Sequence, residues 1–402
     1  MTESRSGRPE ADFPGVPGQG AGQTRRELPG LGVVAAGPPR LFSTQSGVPA
    51  GVIAALERRG ITPHSIDSSL TRWQRVLAAA EALVTNPRVS LSARTAFRGR
   101  LHRSRIATRA RSANTATAIS AATEDAVRVL LVIRGIYCPF NVPYIPYSDN
   151  TAELARRLWP PWFPWSRREH GRVVAAEAKY FANALHVFVA SAHVAKSLID
   201  DYDIPATRIT VVGGGANMPV SHRASTWSAR ANPTVLFVGR DWERKGGDLL
   251  LTAFDRVTEV LPTARLVVVG STPPLRRSWL EVRGRVESRK AMQAVYSNAD
   301  VFCLPTRYDG YGMSFLEAMA NELPCVGTDV CAVPDIISHG QTGYVVPPED
   351  PDMLAATLIT LLANPDLRRR LGVAGRERVE SRLNWDQVVE QMLDAESLRS
   401  AL

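Results

Sequence analysis

The 402-residue chain predicts an α/β protein: two Rossmann-like, doubly wound domains facing a central cleft, preceded by a disordered tail. Three observations carry that reading. Short apolar runs alternate with amphipathic helical stretches from about Leu41 onward. The alternation lapses around Ser221 to Pro233, where polarity rises, and it then restarts with the same rhythm. Strands alternating with helices argue for parallel sheets, and 402 residues suffice for two separate cores.

Residues 1–38 are rich in Gly, Pro, Ser, Arg and Glu with few large apolar groups, so burial cannot offset the entropy of ordering them, and a disordered tail is expected. Residues 39–222 are expected to form the first domain. Helical spacing covers Ala50 to Arg59 and Trp73 to Leu83, a strand covers Val127 to Ile133, and strands at His186 to Ala190 and Arg208 to Val212 bracket a helix ending near Asp201. Residues 223–383 are expected to form the second. Its strands are Val235 to Val238, Arg265 to Val269, Val301 to Leu304, Cys325 to Gly327 and Tyr344 to Val346. Its helices run to Val260, from Lys290 to Asn298, from Ser314 to Asn321, after Pro334, and from Asp352 and Asp366. Residues 384–402 read as a C-terminal helix, one that can cross back to the first domain.

Composition narrows the function classes. The chain shows neither a spanning apolar run nor a signal-peptide pattern, so a cytoplasmic location is expected. Cys138, Cys303, Cys325 and Cys331 lack CxxC spacing and read as free thiols, and no histidines pair at metal-ligand spacing, so no metal is expected. A formal net charge of +9 favours anionic partners. Seven arginines and no acid lie between Arg94 and Arg111, interleaved with Phe97, Leu101 and Ile106. That pattern fits a solvated basic helix face or peripheral contact with an anionic membrane. No nucleic-acid partner is expected, because no helix-turn-helix, zinc-finger or stacking motif accompanies the charge.

Ligands of doubly wound sheets bind beyond the carboxyl ends of the strands, so the strand-to-helix turns are where chemistry is sought. The first such turn in the second domain is "GRDWERKGGDLL". Gly239 frees the backbone there, and Arg240 and Lys245 suit a diphosphate beside a helix start; solvated cations on a polar turn are the competing reading. It is not a Walker A loop. A later turn, "RYDGYGMSFLE", holds Asp309 before Gly310 and Gly312, with Ser314 as a helix cap and Glu317 in the first helical turn. Those carboxylates can accept hydrogen bonds from vicinal hydroxyls, or serve as an ordinary turn former and helical acid. The D-x-D of Asp201 to Asp203 falls at a helix end, where structural acids are common. "LWPPWFPW", Trp159 to Trp165, reads as a rigid packing loop or as a platform for an acceptor.

Gly239, Arg240, Lys245 and Gly246, then Asp309, Gly310, Gly312, Glu317 and Ala318, followed by "LPCVGTDV" and "GQTGYVVPPED", resemble the nucleotide-sugar half of the family 4 glycosyltransferases. The resemblance covers residues 233 to about 395 and implies a retaining, metal-independent enzyme of the GT-B fold. It implies that Asp309, where the family usually carries Glu, contacts the donor sugar, that Glu317 holds the ribose hydroxyls, and that Arg240 and Lys245 hold the diphosphate. The N-terminal half resembles the acceptor domain more weakly. Asp149, in "YIPYSDNTA", stands where the family often has a catalytic-loop histidine. "STQSGVPAGVIAAL" resembles the loop approaching the donor phosphates, with Gly47 and Gly51 as its flexible points. The implied partners are a nucleotide-diphosphate sugar as donor substrate, with no separate cofactor, and a glycan, lipid-linked or small-molecule acceptor. The competing class is a nucleotide-sugar-binding or regulatory protein that lost catalysis through the changes at Asp149 and Asp309.

Overall fold

A computed structural model describes residues 30–84, 97, 101, 103–121, 127–135, 141–162, 165–222 and 231–400. Strands β1 (Gly30–Ala35), β2 (His64–Asp67), β3 (Val127–Ile133), β4 (Tyr144–Ser148), β5 (Val187–Val189) and β6 (Ile209–Val211) form one six-stranded sheet, ordered β2-β1-β3-β4-β5-β6. A second six-stranded sheet holds β7 (Thr234–Val238), β8 (Arg265–Val269), β9 (Leu280–Val282), β10 (Val301–Leu304), β11 (Cys325–Thr328) and β12 (Gly343–Val346), ordered β12-β11-β10-β7-β8-β9. All these strand pairs are parallel. The second order reverses between β7 and β10, the crevice where doubly wound sheets bind ligands.

The central strands are nearly continuous apolar runs, such as VRVLLVI, RLVVV and VFCL, because helices cover both faces of a parallel sheet. Around the first sheet lie α1 (Val48–Arg58), α2 (Arg72–Val84), α3 (Arg105–Ser120), α4 (Ala152–Leu158), α5 (Arg167–Ala182) and α6 (Ala192–Asp200). Around the second lie α7 (Gly247–Val260), α8 (Arg289–Ser297), α9 (Met313–Ala320), α10 (Val333–Ile336), α11 (Pro351–Ala363) and α12 (Pro365–Ser381). Helices α13 (Trp385–Asp394) and α14 (Glu396–Arg399) follow, and α13 packs on α1 of the first domain. Asp386 pairs there with Arg58 at 2.8 Å and Arg59 at 2.7 Å. No described helix is long and apolar enough to cross a membrane.

Several expectations are corrected. The disordered tail does not reach residue 38, because Gly30–Ala35 is fully buried as β1; its glycines made a core strand read as linker. Residues 144–148 form a strand that the sequence pattern did not mark. Pro146 sits in central β4, opposite Val132, giving up one ladder donor. Ser314 does not cap α9: Gly312 holds the N-cap in the left-handed region (φ 94°), so Ser314 and Glu317 lie inside the helix. Gly51 is no flexible point, since it lies within α1 where a Cβ would come 2.3 Å from the Trp385 indole nitrogen. The arginine cluster divides: Arg111 is buried and Arg103 half-buried, while Arg105 and Arg109 are exposed. Arg94, Arg98 and Arg100 lie outside the described residues, as do Cys138 and most of the tail; Cys303 and Cys325 are free and buried.

Candidate functional site

The turn after β7 and the turn after β10 meet at the strand-order reversal. Lys245, 8% exposed, forms an ion pair with the half-buried Asp309 carboxylate. Burial pushes the Asp309 pKa up, but Lys245 and then Arg244 outweigh it and hold the group below its ordinary 3.8. Burial likewise lowers Lys245, against the pull of Asp309. Gly239 lies over the Lys245 stem, where a Cβ would come 3.1 Å from its Cγ. Arg240 emerges beside it, exposed and without an ion pair among the described residues.

Gly246, the N-cap of α7, has φ 70°, and a Cβ there would lie 1.8 Å from the Pro305 carbonyl oxygen. Gly246→Ala is therefore expected to destabilise the fold by about 2–4 kcal/mol, combining left-handed strain with overpacking, as a thermal unfolding midpoint would register. Arg307 clamps the same turn: its guanidinium pairs with Asp248 at 2.6 Å and with Glu349 at 2.6 Å.

Glu317 accepts a hydrogen bond from the Tyr296 hydroxyl at 2.8 Å. Burial raises its pKa above the ordinary 4.5, with the Tyr296 bond and Arg289 pulling against it. Because the folded value is raised, Glu317 favours folding below pH 4.5 and that contribution disappears as pH rises through the folded value. A ligand whose hydroxyls donate to the carboxylate reverses this preference. Affinity for such a hydroxyl-donating ligand is thus expected to fall in an acid titration at a pH above 4.5, a limb that Glu317→Gln should lack.

The first domain reaches the same place. Asp149 pairs with Arg134 at 2.8 Å, and a Cβ on Gly310 would lie 2.7 Å from the Asp149 Oδ2. Arg134, at the end of β3, adopts φ 49° and donates to the Gln45 carbonyl at 3.2 Å. Gln45, Ser46 and Gly47 all have positive φ (47°, 60° and 79°), a strained turn of the kind found at ligand clamps. Gly47 abuts Asn217, whose side-chain amide donates to the Ser46 carbonyl and accepts from the Trp385 indole at 2.8 Å. Arg289 lies 3.7 Å over the Phe42 ring and donates to the Asn217 carbonyl, so α8 of the second domain touches both N-terminal loops.

The tryptophan stretch packs at this junction. Trp162 meets Tyr308 edge-on at 5.4 Å and lies under the Arg244 guanidinium at 4.7 Å. Arg244 also donates to the Tyr308 carbonyl at 2.6 Å. Asp201 is engaged by Arg157 at 3.2 Å and by the Ser197 hydroxyl at 2.7 Å, which makes it a structural acid.

The structure thus gathers Asp149, Gly239, Arg240, Lys245, Asp309 and Gly310 at one crevice. Glu317 lies on the helix that follows Gly312, and Gly47 on the facing loop. Sequence reasoning passed over Arg134, Arg244 and Arg289. Arg134 and Arg244 carried a usable signal: Arg134 directly follows the strongest strand of the first domain, and Arg244 adjoins Lys245.

Two facing doubly wound domains with this site between them define a GT-B fold, as the solved structures also show. A glycosyltransferase from Rickettsia africae superposes with a TM-score of 0.58 at 13% identity, covering 92% of this chain and 99% of that one. The Anabaena protein HepE, solved with UDP and glucose, does so at 0.56 and 12% identity, covering 92% and 99%. Residues 232–364 match the family described as "Glycosyl transferases group 1". In sequence the chain is 35% identical over 178 residues to the phosphatidyl-myo-inositol mannosyltransferase of Mycobacterium tuberculosis, 41% of this chain and 47% of that protein. The match therefore spans about half the length of that curated relative.

Proposed function

We propose that this protein is a retaining, metal-independent glycosyltransferase, resembling family 4, that moves a hexosyl group from a nucleotide-diphosphate sugar to a hydroxyl acceptor. The observation that carries the reading is the Lys245–Asp309 pair at the strand-order reversal, with Arg240, which holds no ion pair among the described residues, beside it and Arg134–Asp149 across the crevice. Arg240 and Lys245 would hold the diphosphate and stabilise the charge that grows on it as the anomeric bond stretches, in place of a metal. Asp309 would orient the sugar hydroxyls and Glu317 the ribose, while Gly310 and Gly312 let the backbone approach.

Retention follows from front-side attack, with a donor phosphate oxygen taking the acceptor proton. Packing of Trp162 and Tyr308 between the domains supports exclusion of water from that step. The acceptor is a glycan, a lipid-linked hydroxyl or a small molecule, and the working compartment is the cytoplasm.

One observation favours a second reading, a donor-binding protein without transfer: the Asp149 carboxylate, at the place of the family's histidine, is engaged by Arg134. Calorimetric titration with a panel of nucleoside diphosphates and nucleotide sugars separates the two. GDP-mannose comes first in the panel, because the curated relative is a mannosyltransferase. Selective binding followed by turnover supports transfer, binding without turnover supports the second reading, and no binding overturns both.

A further inference from the structure

Arg134 reaches the crevice with donors to spare. It directly follows β3, and its backbone N–H donates to the Tyr147 carbonyl of neighbouring β4 at 2.9 Å, so the carboxyl ends of two adjacent central strands fix its place. Its φ of 49° lies in the left-handed region, which a non-glycine residue keeps where its surroundings over-determine it, as at ligand clamps. Nη1 donates to the Gln45 carbonyl at 3.2 Å and Nη2 pairs with Asp149 at 2.8 Å. The Nε–H is buried and has no hydrogen-bond partner among the described residues.

Charge at the crevice is otherwise committed. Lys245 pairs with Asp309, Arg244 with Asp241 at 3.0 Å, and Arg134 with Asp149, while Arg240 holds no ion pair among the described residues. The Arg134 charge nevertheless acts on the second domain: burial pushes the Asp309 carboxyl up, and Arg134 joins Lys245 and Arg244 in holding it down. Asp149 touches the same turn, since a Cβ on Gly310 would lie 2.7 Å from its Oδ2. A diphosphate carries more negative charge than one carboxylate and offers oxygens that a guanidinium engages in a fork, so beside Lys245 it competes with Asp149 for Arg134.

We propose that Arg134 is a diphosphate ligand supplied by the first domain: it exchanges Asp149 for the donor phosphates, and the released Asp149 carboxylate becomes free to accept from the acceptor hydroxyl. This role rests on the glycosyltransferase reading and turns the Arg134–Asp149 pair into a working part of it. Nη1 can stay on Gln45 while Nη2 and the Nε–H change partner.

Calorimetric titration of the full chain and its variants with GDP and with UDP tests the exchange. Arg134→Met should weaken nucleoside diphosphate binding about tenfold to a hundredfold, the loss of one charge-assisted hydrogen bond. Asp149→Asn keeps the shape but removes the competing charge, and should strengthen binding about two- to fivefold. The double variant should bind like Arg134→Met, because the gain acts through Arg134. A pair that is only structural predicts that Asp149→Asn weakens binding as Arg134→Met does; that result overturns the assignment, and so does an Arg134→Met affinity equal to the parent's or a gain that persists in the double variant. If circular dichroism shows Arg134→Met unfolded, Asp149→Asn decides alone: a gain supports the exchange and no gain overturns it. A parent chain that binds neither nucleotide removes the glycosyltransferase reading itself, and this role with it.

Discussion

Lys245→Met is expected to lower kcat by about 10²–10³, the cost of removing one preorganised charge from a developing anion. The substitution keeps an apolar stem of similar length, so the change is one of charge. It also strands Asp309, whose carboxylate is held ionised chiefly by this ammonium against the pull of burial. Breaking a buried pair from one side costs about 3–5 kcal/mol of stability. The double variant Lys245→Met with Asp309→Asn removes the stranded charge and should recover most of that stability while leaving turnover absent. Thermal unfolding measured beside initial rates reads both; if the double variant regains turnover, the pair is only structural.

Glu317→Ala carries the second large effect, on binding. Two ribose hydroxyls lost from a carboxylate, at about 1.5–3 kcal/mol for each charge-assisted hydrogen bond, imply a rise of about 10²–10⁴-fold in Kd for the nucleoside diphosphate. Stability should move little, because removing a carboxylate that burial disfavours offsets the loss of its Tyr296 partner. Calorimetry with the 2′,3′-dideoxy nucleotide provides the control: the variant and the parent chain should bind it with similar affinity. A parent chain that binds the dideoxy and ordinary nucleotides equally would remove Glu317 from the ribose.

The strands at 127–133, 265–269 and 301–304 were legible because a parallel strand buried on both faces becomes an unbroken apolar run. β2 and β9 were not, since they sit at sheet edges with most of their side chains exposed. Pro146 and Gly30 concealed two further strands behind residues that usually mark turns. The same contrast holds at the site. Lys245, Asp309 and Glu317 sit in turns and helices directly after strands of one sheet, so local order places them. The Arg134–Asp149 pair and the left-handed run at 45–47 depend on packing between β1, β3 and β4, which no local pattern encodes.

Trp385 fills the space left by Gly51 and Gly215 and hydrogen-bonds to Asn217, so a residue near the end of the chain completes a seam of the first domain. Synthesis runs in the opposite order. The first domain emerges early with that seam open, and its hydrophobic groove must wait for α13, the interval in which multidomain chains misassemble. A fragment ending at residue 222 would keep every strand of the first sheet and still lack its closing wedge. Supplying residues 384–400 as a separate peptide is the natural way to make such a fragment soluble.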